Sequence, residues 1–235
     1  AGKYFQAMCA DHLPLPKSVG EPAPRVLFSP QVVELQPSTQ AWQWRSSSIR
    51  LPGIAVGDVD ADGQLDLCLA GHGPDGATTL LRNLGSGQFS PPQPLAERGV
   101  TPCIGDFDND GDLDLWLGRA GGDLLLDNDG QGDFHESASH DVAGPSLLTH
   151  SARLLDIDSD GDLDLLALRS ATGAVPASDG MQPAAGSLLQ NNRDGSFTEV
   201  ADRLGLAMTD FASATVVYDD FDNDRDLDLI VFSAD

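Results

Sequence analysis

Five aspartates occupy every second residue from Asp106 to Asp114, with Gly111 among them. Alternate side chains of a tight loop fall on one side, so Asp106, Asp108 and Asp110 converge. Converging carboxylates repel one another unless a cation lies between them. A hard cation such as calcium takes six to eight oxygens at about 2.3–2.6 Å. Carboxylates at loop positions 1, 3 and 5, a backbone carbonyl at 7 and a carboxylate at 9 supply such a shell, and a glycine at 6 permits the sharp turn.

Segments 58–66, 156–164 and 220–228 repeat this pattern, D-x-D-x-D-G-x-x-D. The expected calcium ligands are Asp58, Asp60, Asp62, the Gln64 carbonyl and Asp66 in the first loop, and Asp106, Asp108, Asp110, the Asp112 carbonyl and Asp114 in the second. The third loop offers Asp156, Asp158, Asp160, the Asp162 carbonyl and Asp164; the fourth offers Asp220, Asp222, Asp224, the Asp226 carbonyl and Asp228. Up to four calcium ions are therefore expected. Arg225 replaces the glycine of the fourth loop, and a non-glycine residue in the left-handed region costs about 1 kcal/mol. The fourth site is expected to be the weakest.

An EF-hand opens in the same way but requires a glutamate at position 12 and flanking helices. Position 12 here is Leu69, Leu117, Ala167 or Val231, while positions 8 and 10 are leucine in every copy and position 2 is apolar (Val59, Phe107, Ile157, Phe221). That is the alternation of strands. The loops are read as β-hairpin loops.

What must position these loops is a repeat. They begin at 58, 106, 156 and 220, spaced 48, 50 and 64 residues apart, and self-similarity at such a period marks a repeat architecture. Each unit has a short entering strand, the loop, a strongly apolar strand, and a hairpin whose turn carries Asn, Asp and Gly before Phe89, Phe134 or Phe197. Four short strands per unit predict an all-β fold, a β-propeller or part of one, with about four blades represented. A seven-bladed ring at this period needs roughly 350 residues, so the chain reads as a fragment of one. The alternative is that residues 26–35, which resemble the stretch around Phe89 to Gln93, complete the last blade and close a small ring. Residues 1–24 read as a proline-rich linker with a helix-compatible piece at 4–12, and 25–235 as repeats, with units near 49–97, 98–146, 147–207 and 208–235. The Gly, Ala, Pro and Ser-rich stretch 170–185 reads as a surface insertion.

The formal net charge is −24, and 20 of the 37 acidic residues lie in the four loops, Asp219 included. No basic stripe is available to neutralise phosphates, so nucleic acid is not an expected partner. No apolar run approaches the roughly 18 residues of a membrane-spanning helix. Cys9, Cys68 and Cys103 make an odd number; buried hydrophobic roles are expected for them, with a Cys68–Cys103 bridge left open. Trp42 and Trp44 lie two apart, as on one strand face, and are read as packing residues.

Catalytic patterns are thin. His135, Glu136 and His140 miss the helical zinc spacing by one residue, and His72 and His150 stand alone. No nucleophile elbow or phosphate-binding glycine loop occurs. A binding role is favoured over an enzyme.

The four loops, the L-D-L strands after them and the hairpin from Leu189 to Val200 resemble the FG-GAP/VCBS repeat family. This is the family of the calcium-loop blades of integrin α-subunit propellers and of many bacterial relatives, the bacterial type being the nearer likeness. The resemblance covers roughly 49–235 and implies a calcium-binding scaffold for protein or glycan interaction or adhesion, with structural calcium. The alternative is a secreted carbohydrate-active enzyme, a propeller lyase or hydrolase, or its accessory domain. Extracellular calcium modules bind at about 10⁻⁴ to 10⁻³ M, so an extracellular, cell-surface or periplasmic location is expected. The partner would meet the blade-face loops, and the remainder of a longer polypeptide is expected.

Overall fold

Each acidic loop turns one strand back on the next, and the leucines on either side decide how the resulting sheets stack. The computed structural model describes residues 53–71, 76–96, 98–137, 147–171, 186–193, 196–206, 213–221 and 227–233, all within one unit spanning 33–235. The expectations for residues 1–50, among them Cys9, Trp42 and Trp44, fall outside the described residues. So do those for His72, His140, Asp222, Asp224, Arg225 and Asp226, and for the insertion beyond residue 171.

Three four-stranded antiparallel meanders follow one another. The first is β1 (Ile54–Gly57), β2 (Asp66–Leu69), β3 (Thr78–Leu81) and β4 (Gln93–Ala96). The second is β5 (Gly99–Gly105), β6 (Asp114–Arg119), β7 (Leu124–Asn128) and β8 (Phe134–Glu136). The third is β9 (Leu147–Leu155), β10 (Asp164–Ala171), β11 (Ser187–Asn191) and β12 (Phe197–Glu199), and the pair β13 (Ser213–Asp219) and β14 (Asp228–Ser233) opens a fourth. One register recurs in all four: Gly57 faces Asp66, Gly105 faces Asp114, Leu155 faces Asp164 and Asp219 faces Asp228. The last aspartate of each loop thus closes the first hairpin of its sheet.

Successive side chains of a strand point to opposite faces, and the second strands are apolar on both. On β6, Leu115 and Leu117 pack towards the first sheet with Cys68 and Ala70, while Trp116 packs towards the third with Ala152, Leu165 and Leu189. A further cluster joins Leu166, Leu168 and Leu188 of the third sheet to Val216 of the fourth. The core is therefore a series of layers between neighbouring sheets. Trp116, Phe107 and Phe197 meet at centroid distances of 5.9–6.4 Å in the second layer. The first strands touch in sequence, β1 with β5, β5 with β9 and β9 with β13. Antiparallel four-stranded sheets stacked face to face about their first strands are consecutive blades of a β-propeller.

The described strands run to different lengths than the apolar pattern implies. β9 extends back to Leu147, and a register shift between Leu168 and Arg169 accommodates the extra residue. Phe134 and Phe197 open β8 and β12, whereas Phe89 makes a single bridge to Asn83 and β4 starts at Gln93. Pro91 and Pro92 have no N–H to donate, which delays the ladder. One turn of helix, α1 (Ala201–Leu204), follows β12 and ends at Gly205 with φ 73°; no sequence expectation anticipated it.

Candidate metal centres in the blade loops

The loops owe their shape to aspartates that bind backbone before they bind anything else. The first aspartate accepts from the glycine at position 6: Gly63 N–H to Asp58 at 2.9 Å, Gly111 N–H to Asp106 at 3.1 Å and Gly161 N–H to Asp156 at 3.1 Å. Those glycines have φ of 86°, 97° and 95°, a region where a Cβ is strained. Position 4 is left-handed as well, in Ala61, Asn109 and Ser159 (φ 55°, 63° and 59°). Of these three only Asn109 is a residue type that favours that region.

The aspartate at position 9 is the hub. Both its oxygens accept backbone N–H groups, one from position 2 of its own loop and one from the asparagine of the third strand. For Asp66 the donors are Val59 at 3.1 Å and Asn83 at 2.7 Å; for Asp114, Phe107 at 3.0 Å and Asn128 at 2.9 Å; for Asp164, Ile157 and Asn191, both at 2.8 Å. Phe221 N–H likewise reaches Asp228 at 3.0 Å in the fourth loop. Asp66, Asp114 and Asp164 are at most 2% exposed. Burial pushes all three carboxyls above their ordinary range, Asp114 to about 6, against the lowering effect of the two N–H bonds. Asp108 is raised too, first by burial and then by Asp110, Asp106 and Asp127.

Sequence reading missed the asparagines. Asn128 donates its side-chain amide to Leu113 O at 2.9 Å and to Val59 O, in the preceding blade's loop, at 2.8 Å. Asn191 donates to Phe107 O at 2.7 Å in the same way. The recurring Leu-Leu-x-Asn before each hairpin was the available signal.

Carboxylate oxygens of Asp58, Asp60 and Asp62 lie within 4.8 Å of one another, as do those of Asp106, Asp108 and Asp114, and of Asp156, Asp158 and Asp164. The first loop thus gathers positions 1, 3 and 5, and the other two gather 1, 3 and 9. In all three loops the position 5 aspartate accepts the position 7 N–H: Asp62 from Gln64 at 2.8 Å, Asp110 from Asp112 at 2.9 Å and Asp160 from Asp162 at 3.0 Å. Asp60 Oδ1 and Asp106 Oδ1 are buried with no hydrogen-bond partner. Shielded, convergent carboxylate oxygens of this kind fit a hard cation. In the fourth loop Asp220 and Asp228 are described, and its other expected carboxylates are not.

Among the described residues, the remaining candidates do not assemble. His135 and Glu136 are exposed neighbours on β8, so they point to opposite faces. Cys68 and Cys103 are free thiols, pushed up to about 12 and about 11 by burial, with Arg153 opposing the rise at Cys103. The Cys68–Cys103 bridge is not formed.

Residues 58–117 and 106–167 each match the model of the FG-GAP-like repeat. Among solved structures, a lectin from Agrocybe aegerita, described for its specific recognition of non-reducing terminal N-acetylglucosamine, is similar at a TM-score of 0.49 and 16% identity, over 78% of this chain and 47% of its own. The chain spans about half the length of that lectin. No curated protein matches the chain. Across residues 58–167, which hold the first three acidic loops, this protein is built of FG-GAP-like repeats.

Proposed function

We propose that this protein is a calcium-stabilised repeat scaffold of the extracellular, cell-surface or periplasmic space, presenting its blade-face loops to a protein or glycan partner. Each unit near 49–97, 98–146, 147–207 and 208–235 is one blade, and calcium in its loop neutralises the aspartates and holds the first hairpin. The observation that carries this reading is the convergence of three carboxylates, those of positions 1 and 3 in every case, in three successive loops, with buried carboxylate oxygens at Asp60 and Asp106 that have no protein donor. A scaffold is favoured over an enzyme by what the titratable groups are engaged in: the loop carboxylates hold backbone N–H groups, and the thiols of Cys68 and Cys103 are buried.

Differential melting tests it. A ligand that binds the native state stabilises it by mass action, so millimolar calcium should raise Tm well above that in chelator. Magnesium should do much less, because it needs a tighter octahedral shell. A melting curve indifferent to chelator removes the calcium reading.

A further inference from the structure

The residue just before each third-strand asparagine lies beside the aspartates of its loop, and its charge differs from blade to blade. In the first blade it is Arg82, whose Nη1 lies 3.3 Å from Asp60 Oδ2. In the second it is Asp127, which the pairing of Leu115 with Leu126 sets beside Asp114 on the neighbouring strand, where its charge bears on Asp114 and Asp108. In the third it is Gln190, whose side-chain amide donates to Asp158. A second position varies with it. Two residues after the asparagine, the second hairpin has Gly130, where a Cβ would come 2.7 Å from Asp112 Oδ1. The third hairpin has Arg193 there, bonded to Asp162 and to the Asp160 carbonyl, and 3.6 Å from Asp160 Oδ1.

We infer that these third-strand and hairpin residues set a cation-affinity order among the loops, with the second loop the tightest. This rests on the calcium reading above. Arg82 is a built-in counter-ion for the first loop. It is anchored by Gly132 O at 3.0 Å and by Asp133 at 3.6 Å, both in the next blade, and its side chain is only 27% exposed. A guanidinium held beside a ligand carboxylate repels an incoming divalent cation and occupies one of its donors. Arg193 does the same for the third loop more weakly, because it is 53% exposed and solvent screens it. The second loop has no arginine at either position and one more carboxylate, Asp127. More ligand-side negative charge means tighter calcium binding. The first blade therefore keeps part of its loop structure without metal, and the second depends on metal the most.

The test is a calcium titration of the full chain followed by the amide resonances of Gly63, Gly111 and Gly161, each of which reports the first aspartate of its own loop. Gly111 should shift at the lowest calcium concentration. Arg82→Gln should lower the Gly63 midpoint by about tenfold, the scale expected for removing one charge near a partly buried site. Asp127→Asn should raise the Gly111 midpoint by a similar factor and leave Gly161 in place. This second variant keeps the test valid if Arg82→Gln loosens the first blade. Equal midpoints, or a Gly111 midpoint unmoved by Asp127→Asn, overturn the order while leaving calcium binding standing. No shift at any glycine overturns calcium binding and the order with it.

Discussion

Asn128 sits where three backbone segments meet, and its side chain satisfies a group on each. Its amide nitrogen serves Val59 O and Leu113 O, and its Oδ1 accepts Gly132 N–H at 3.0 Å. A buried backbone group left without a partner costs about 1–3 kcal/mol. Asn128→Ala should therefore cost about 2–4 kcal/mol in urea unfolding. Asn83, the same position in the first blade, donates its amide to Leu65 O at an exposed site, and Asn83→Ala should cost about 1 kcal/mol or less. Comparable losses from both would mean that the contact with the preceding loop contributes nothing. The arginines flanking these asparagines carry the opposite lesson: Arg82, just before Asn83, and Arg193, two residues after Asn191, are surface charges by type, and their contacts make them part of the loops.

At the scale of elements, spacing of the first two blades from the next depends on glycine at the end of the first strand, Gly57 and Gly105. A Cβ on Gly105 would come 2.8 Å from methyl carbons of Leu154 and Leu163 in the next blade. Gly105→Ala should force the layers apart at about 1–3 kcal/mol, the usual cost of overpacking. Gly63→Ala meets nothing within 4 Å and bears only the strain of φ 86°, about 1 kcal/mol. The Gly105 effect should couple to Leu163→Ala in a double-mutant cycle, and strict additivity would show that the clash is not with that leucine. The continuous apolar run of β6 has the same origin. A strand sandwiched between two blades cannot keep a polar face, so Leu115, Trp116 and Leu117 are all buried.

For the whole molecule, charge is the governing quantity. With a formal charge of −24, self-repulsion opposes the compact state, and the buried carboxyls add a defined pH dependence. Asp114 has a folded pKa of about 6 against an ordinary 3.8, and Asp66 and Asp164 shift the same way. Between those values the native state holds more protons than the unfolded chain, so stability falls as pH rises. In chelator, Tm should decline from about pH 4 to about pH 6 and then level off. With saturating calcium the charged carboxylates are favoured, so the calcium-induced rise in Tm should grow across that same window. A chelated protein whose Tm climbs between pH 4 and 6 would refute the assignment. Asp114→Asn should flatten part of the slope.

The loop spacing, the missing acid at position 12 and the paired leucines at positions 8 and 10 were enough to read a repeated β-hairpin with a cation-binding turn, because those features are local. The turn needs its glycine, and the alternation needs only a period of two. Blade stacking was legible for a related reason: a strand apolar on both faces must be covered on both. What stayed hidden depends on residues far apart in the chain. The loop pattern alone assigns Asp114 wholly to metal, yet its two oxygens meet N–H groups 7 and 14 residues away, and Asn128 reaches Val59 across 69. Only the tertiary structure decided that Arg82, Asp127 and Gln190 lie beside the loop carboxylates, since no pattern in the sequence aligns a third-strand residue with a carboxylate of the first hairpin. The aspartates specify that a cation is wanted. Packing of the third strand against the loop determines how strongly each blade wants it.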